Sequence, residues 1–231
     1  MQISRTIVTG AAAMLLAAAP LYAADDARKL SDSRMVLSEM RNASDNGIPD
    51  SIWSKAECIV VIPGLKKAGF IIGGEFGDGV MACRNGNAWG APIFMKLTKG
   101  SAGLQIGAQS TDLVLVVMNR DGADKLLGNK VTLGADASIA AGPVGRNASA
   151  ATDAQLTAQM LAYSRSKGIF AGIDLSGGSL RPDDGANARV YGSGHSAREI
   201  AMGTVPVRLT AEGRAFDNAL GTDVRATGGI K

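Results

Sequence analysis

The chain has 231 residues, with 24 Lys and Arg against 21 Asp and Glu and a formal net charge of +3. So even a balance excludes a basic surface for nucleic acid spread over the whole molecule, and any electrostatic partner must meet a local patch. The 30 glycines follow no strict period, which excludes a collagen-like chain, and two cysteines with one histidine and no C-x-x-C pair fall short of a four-ligand zinc site, so neither metal nor other cofactor is expected.

Met1 to Thr6 carries one cation, Arg5, and Ile7 to Ala19 is apolar and small. Pro20-Leu21-Tyr22-Ala23-Ala24 then ends in small residues before Asp25-Asp26, the pattern of a secretory signal peptide. The apolar run is shorter than the roughly 20 residues that a membrane span needs. No cysteine near the cut supplies a lipid attachment point. Cleavage is expected after Ala23, with Ala24 as the alternative. Residues 1–23 are then the signal peptide and 24–231 one domain, with its ordered core at 29–220. Loss of Arg5 leaves the mature chain at +2. Its expected location is periplasmic or secreted, possible also at the periphery of a membrane. In that oxidising compartment Cys58 and Cys83, both in predicted strands, are expected to form a disulfide, two buried thiols being the alternative.

Asp26 to Ala43 lacks Pro and Gly, and Leu30, Leu37 and Met40 recur at helical spacing, which predicts an amphipathic helix ended by Asn46-Gly47. Asp50 to Glu57 predicts a second, short helix. Cys58 to Ile62 is a β-branched apolar run stopped by Pro63-Gly64, a buried strand. Ala68 to Gly73 reads as the next strand. Gly77-Asp78-Gly79 turns into a third, Val80 to Arg84. Asn85-Gly86-Asn87 signals a hairpin into Trp89 to Leu97. Lys99-Gly100-Ser101 turns again, and Ala102 to Gln109 and Leu113 to Met118 follow as strands. Asp121 to Leu127 predicts a helix, with small strands at Lys130 to Leu133 and Ser138 to Ala141. Leu156 to Ser164 and Ile169 to Leu175 predict two strands joined by the turn Arg165-Ser166-Lys167-Gly168. Ala197 to Met202 and Thr210 to Leu220 close the chain as helices. Strands joined by a few turn residues pair antiparallel. The class expected is α+β: a single domain, mainly antiparallel sheet of sandwich or barrel type, with helices at both chain ends.

No catalytic constellation emerges. His195 follows Ser193, but adjacency in sequence does not make a nucleophile and its base, and no G-x-S-x-G elbow occurs. Gly192-x-Gly194-x-x-Ala197 imitates a dinucleotide fingerprint without a parallel βαβ unit around it. Asp183-Asp184-Gly185 lacks the spaced ligands of a calcium loop and reads as a turn. The chain is not expected to be an enzyme.

Four stretches in order, AECIVVIPGLKKAGFIIGGEFGDGVMACR, NAWGAPIFMKLTKGSAGLQIGAQSTDLVLVVMN, LGADASIAAGPVGR and YSRSKGIFAGIDLSG, resemble the SYLF domain family, in particular its stand-alone secreted bacterial members. They span Lys29 to about Leu220, nearly all of the mature chain. The resemblance implies phospholipid binding, of phosphoinositides in eukaryotic members, and no known catalysis. Some fungal members are described as actin-binding, and eukaryotic ones often add an SH3 or FYVE module. Neither module is expected here, and export would separate the chain from cytosolic actin. Trp89-Gly90-Ala91-Pro92 departs from the family's Trp-Ser-x-Pro by one hydroxyl.

A lipid binder needs cations and N–H donors beside an apolar slot. The candidates are cations in turns: Lys66 and Lys67 after Pro63-Gly64, Arg84, Lys96 with Lys99, Arg146, and Arg165 with Lys167. Phe170, beside Ile169, would border the acyl region. Each cation has a plainer reading as solvated surface. The predicted N-terminal helix is better suited to packing on the sheet than to lying in a membrane, since it lacks Trp and Phe. The function expected is non-catalytic binding of anionic phospholipid head groups in a bacterial cell envelope. The alternative is an extracytoplasmic protein–protein adaptor or scaffold with no lipid ligand.

Overall fold

Unbroken apolar runs such as Cys58–Ile62 and Leu113–Val117 suit strands that are buried on both faces. The computed structural model describes residues 19–43, 47–69, 72–102, 107–144, 155, 157–166, 169–171 and 173–221. In chain order its strands are β1 (Cys58–Gly69), β2 (Ile72–Asn85), β3 (Ala88–Trp89), β4 (Ile93–Ala102), β5 (Gly107–Val117), β6 (Val131–Thr132), β7 (Ile139–Ala141), β8 (Met160–Ser166), β9 (Ile169–Ala171) and β10 (Ser179–Pro182). Its helices are α1 (Ala19–Asn42), α2 (Asp50–Trp53), α3 (Arg120–Gly128), α4 (Asp184–Tyr191), α5 (Ala197–Ala201) and α6 (Ala211–Leu220). The strands form one sheet in the order β6-β10-β4-β2-β1-β5-β8-β7, with β3 beside β2 and β9 beside β8. Of the named pairings only β7 with β8 is parallel. The α+β class and the mainly antiparallel sheet are as the sequence predicts.

Alternate residues of the central strands feed two cores. Cys58, Val60 and Ile62 of β1 pack with Leu126 and Leu127 of α3 and Ile200 of α5. Ile59 and Val61 pack on the other face with Leu37 and Met40 of α1, Trp53 of α2 and Phe216 of α6. Burying side chains of this size stabilises the fold by about 1.5–3 kcal/mol each. The N-terminal helix therefore packs on the sheet, as its composition suggests. Among the described residues, no helix is long and apolar enough to cross a membrane.

Several element boundaries differ from expectation. Pro63-Gly64 does not stop β1, and Gly77-Asp78-Gly79 and Lys99-Gly100-Ser101 lie inside β2 and β4. The strands expected at 68–73 and 102–109 are instead the ends of consecutive strands, and residues 70–71 and 103–106 lie outside the described ones. Asp183 is a helix cap: its carboxylate accepts the Ala186 N–H at the start of α4. β8 and β9 pair antiparallel as expected, with Ser166 opposite Ile169 and Arg165 opposite Phe170; Arg165 and Ser166, expected in the turn, end β8 instead, and Lys167-Gly168 lie outside the described residues. Cys58 stands opposite Cys83 across β1 and β2, and the two are joined by a disulfide.

Candidate functional site

In β1, Pro63-Gly64 makes a bulge. The register to β2 shifts between Val61 and Lys66, and the register to β5 between Ile62 and Leu65. Gly64 has φ of +59°, and its N–H donates to Asp112 Oδ1 on β5 at 3.0 Å. An extra residue in one strand reverses the face taken by every side chain after it. Leu65 thereby joins the same core as Ile62, and Lys66 turns to the face on which α1 lies. β2 passes close by: a Cβ on Gly79 would sit 1.9 Å from the Val61 carbonyl oxygen, so only glycine fits there.

Phe76 of β2 is the cross-strand partner of Lys66. It shares a face with Val80 and Ala82 by strand alternation, but α1 leaves it 50% exposed. Met35 on α1 is also 50% exposed. Between α1 and the bulge opens a cleft of about 420 Å³, to which α1 contributes Asp32, Met35 and Glu39, β1 contributes Gly64 and Lys66, and β5 contributes Asp112. At one end Arg165 of β8 stands opposite Asp112 and pairs with it at 3.2 Å, while the same Nη2 donates to Glu39. Arg165 thus ties α1 to the sheet.

The other predicted cations are scattered. Lys67 falls on the opposite face from Lys66 and pairs with the buried Glu75 at 3.1 Å. Arg84 is buried beneath α2: its Nε donates to the Ala56 carbonyl at 2.8 Å and its guanidinium lies 4.4 Å from the Trp89 ring centroid. Lys96 pairs with Asp183 at 3.0 Å. Lys99 pairs with Asp174, whose carboxyl is held at about 2, chiefly by hydrogen bonds from Ser176 and then by Lys99. Arg146 and Lys167 lie outside the described residues, and of Phe170 the backbone alone is described. The predicted set is therefore not one site. Lys66 is the member that the fold leaves exposed beside exposed apolar side chains. Sequence reasoning missed Phe76 and Met35; the alternation that sets Phe76 on one face with Val80 and Ala82 is the signal that could have found Phe76.

Ser193 and His195 are exposed in the loop between α4 and α5, and Gly192 and Gly194 around Ser193 have φ of +94° and +95°. Val190-Tyr191 ends a helix, so the dinucleotide-like pattern does not follow a strand. Among the described residues, no group of three or more His, Cys, Asp or Glu could hold a metal ion.

A family model described as "Ysc84: Las17-binding protein actin regulator" matches residues 98–221, more than half of the chain. The chain belongs to the Ysc84 family. This is the SYLF domain family that the sequence motifs resemble. Its relatives include LAS seventeen-binding protein 3 of Saccharomyces cerevisiae, 33% identical over 185 residues that cover 75% of this chain and 40% of that protein. The SH3 domain-containing protein PJ696.02 of Schizosaccharomyces pombe is 36% identical over 170 residues, 71% of this chain and 39% of the relative. The human SH3 domain-containing YSC84-like protein 1 is 31% identical over 175 residues, 74% of this chain and 51% of the relative. The chain thus matches about half, or less, of the length of these relatives. The family is described in terms of binding and regulation, and no catalytic family is indicated.

Proposed function

We propose that this Ysc84-family protein is a non-catalytic phospholipid-binding protein, exported to a bacterial cell envelope and peripheral to a membrane there. The observation that carries the reading is the cross-strand pair Lys66–Phe76, a cation and a half-exposed aromatic side by side, with the half-exposed Met35 across the cleft. Large apolar side chains left in water beside a lysine suit the boundary between acyl chains and phosphates, where the ring enters and the ammonium meets a phosphate oxygen. Arg84, Arg165, Lys67, Lys96 and Lys99 act in this reading as internal ties.

Vesicle flotation tests it. Phe76→Ser is expected to weaken binding by about 1 kcal/mol, roughly fivefold, for the half of the ring still open to burial. Lys66→Ala should cost about 1 kcal/mol on vesicles containing phosphatidylglycerol, less as salt is added. Unchanged vesicle binding in both variants, with melting temperatures intact, would overturn the reading. A second reading, a protein–protein adaptor, draws on the printed names of relatives as Las17-binding proteins. It predicts no vesicle binding by the wild type.

A further inference from the structure

Resting on that reading, we infer that the cleft beside Lys66 selects phospholipids whose head group carries a primary ammonium. The chemical class is the phosphoethanolamine lipid, with its phosphate at Lys66 and its ammonium among Asp32, Glu39 and Asp112. The membrane-facing side chains alone do not predict this; the charges inside the cleft do. Three carboxylates line it against one lysine. At one end of the cleft Arg165 already gives its Nη2 to Glu39 and Asp112. A purely anionic head group entering here would meet Lys66 and then a surplus of negative charge. A zwitterion finds a partner for each of its charges, and its two ends lie only two carbons apart.

The acceptors are uneven in a way that orients the ligand. Asp112 is occupied on both oxygens, by the Gly64 N–H at 3.0 Å and by Arg165 at 3.2 Å. Asp32 takes no hydrogen bond or ion pair from the described residues and is part-exposed on the α1 wall. It is the main acceptor for the incoming ammonium, whose three N–H donors suit carboxylate oxygens. A quaternary choline group has no N–H to donate and is held best over aromatic faces. Among the described residues lining the cleft there is no aromatic ring. Met35, on the cleft wall, and Phe76, beside Lys66, reach into the apolar layer, which sets the cleft at head-group depth.

The test compares purified protein on vesicles of phosphatidylcholine alone, phosphatidylcholine with phosphatidylethanolamine, the same with its N,N-dimethyl derivative, and phosphatidylcholine with phosphatidylglycerol. The ethanolamine lipid should raise affinity about fivefold over phosphatidylcholine, the worth of one part-exposed ion pair. N-methylation should remove part of that gain, and phosphatidylglycerol should give less than the ethanolamine lipid. Asp32→Asn, nearly isosteric on an open helix face, should bring the ethanolamine-to-choline affinity ratio close to one. Circular dichroism melts would verify that this variant folds. Wild-type binding to every vesicle without preference for ethanolamine overturns this inference and leaves the membrane reading standing. So does a preference that Asp32→Asn leaves in place, or a stronger preference for phosphatidylglycerol. Absence of binding to any vesicle overturns the membrane reading and this inference with it.

Discussion

Asp217, on α6, couples stability to pH through a single side chain. Its Oδ1 is buried with no hydrogen-bond partner among the described residues, and burial raises its pKa from 3.8 to about 7. Tyr191 of α4 feels it: burial, and then the Asp217 charge, push the phenol upward, and its hydroxyl donates to the Pro92 carbonyl. Because the folded-state value lies above the unfolded one, the fold prefers the neutral acid. The associated stability is complete below about pH 4 and is lost as pH rises through about 7. A shift of that size in a fully buried group is worth about 4 kcal/mol, and solvent screening of this half-buried one leaves about 1–2 kcal/mol. Asp217→Asn cannot ionise. Thermal melts from pH 4 to pH 8 should show the wild type falling relative to the variant across that window. Parallel profiles for the two would mean that Asp217 is ionised throughout.

At the scale of elements, the bulge in β1 decides where the candidate site forms. Gly64 holds φ of +59°, and a Cβ there would lie 3.2 Å from Ser110 Oγ. An L-residue in that conformation costs about 1–2 kcal/mol. Gly64→Ala should therefore melt about 2–8 °C lower, while Gly64→Asn, whose side chain tolerates the left-handed region, should lose less. Equal melting of Gly64→Ala and wild type would show that the bulge is not fixed by this residue. The apolar runs and the hairpin at Asn85-Gly86-Asn87 were legible in the sequence, because periodicity and turn chemistry are local. The bulge was not. Pro-Gly suits a turn as well as a bulge, and the choice rests on β5 supplying Asp112 to the Gly64 N–H, a contact 48 residues away in sequence. Gly77 and Gly79 look like turn residues for the same reason, yet they are needed because Ile62 and Val61 of the neighbouring strand come too close for side chains. Arg165 reads as a turn cation because nothing local announces Glu39 as its partner, whereas Trp89 stands opposite Arg84 across the predicted Asn85-Gly86-Asn87 hairpin. Met35 is exposed for a reason no helical period encodes, namely where α1 crosses the sheet.

Across the whole molecule, cations and carboxylates mostly join elements distant in sequence. Arg189 of α4 forks onto the buried Asp26 of α1 at 2.9 Å, and Arg198 of α5 reaches Asp124 of α3. The Cys58–Cys83 disulfide acts at the same scale. It joins directly opposed residues of two central strands inside the core under α3 and α5, across a separation of 25 residues. A closed loop of that length removes about 3 kcal/mol of chain entropy from the unfolded state, which for a chain of this size is about 6–12 °C in melting temperature. The bridge forms and persists in an oxidising compartment, so it is linked to the proposed export. Protein recovered from the cell envelope without reductant and denatured before thiol titration should show no free thiol. Melting with a reductant able to reach the unfolded chain should fall by the stated amount, and Cys58→Ala with Cys83→Ala should reproduce that fall without reductant. Two titratable thiols in the recovered protein would remove the bridge, and with it one of the grounds for placing the chain outside the cytoplasm.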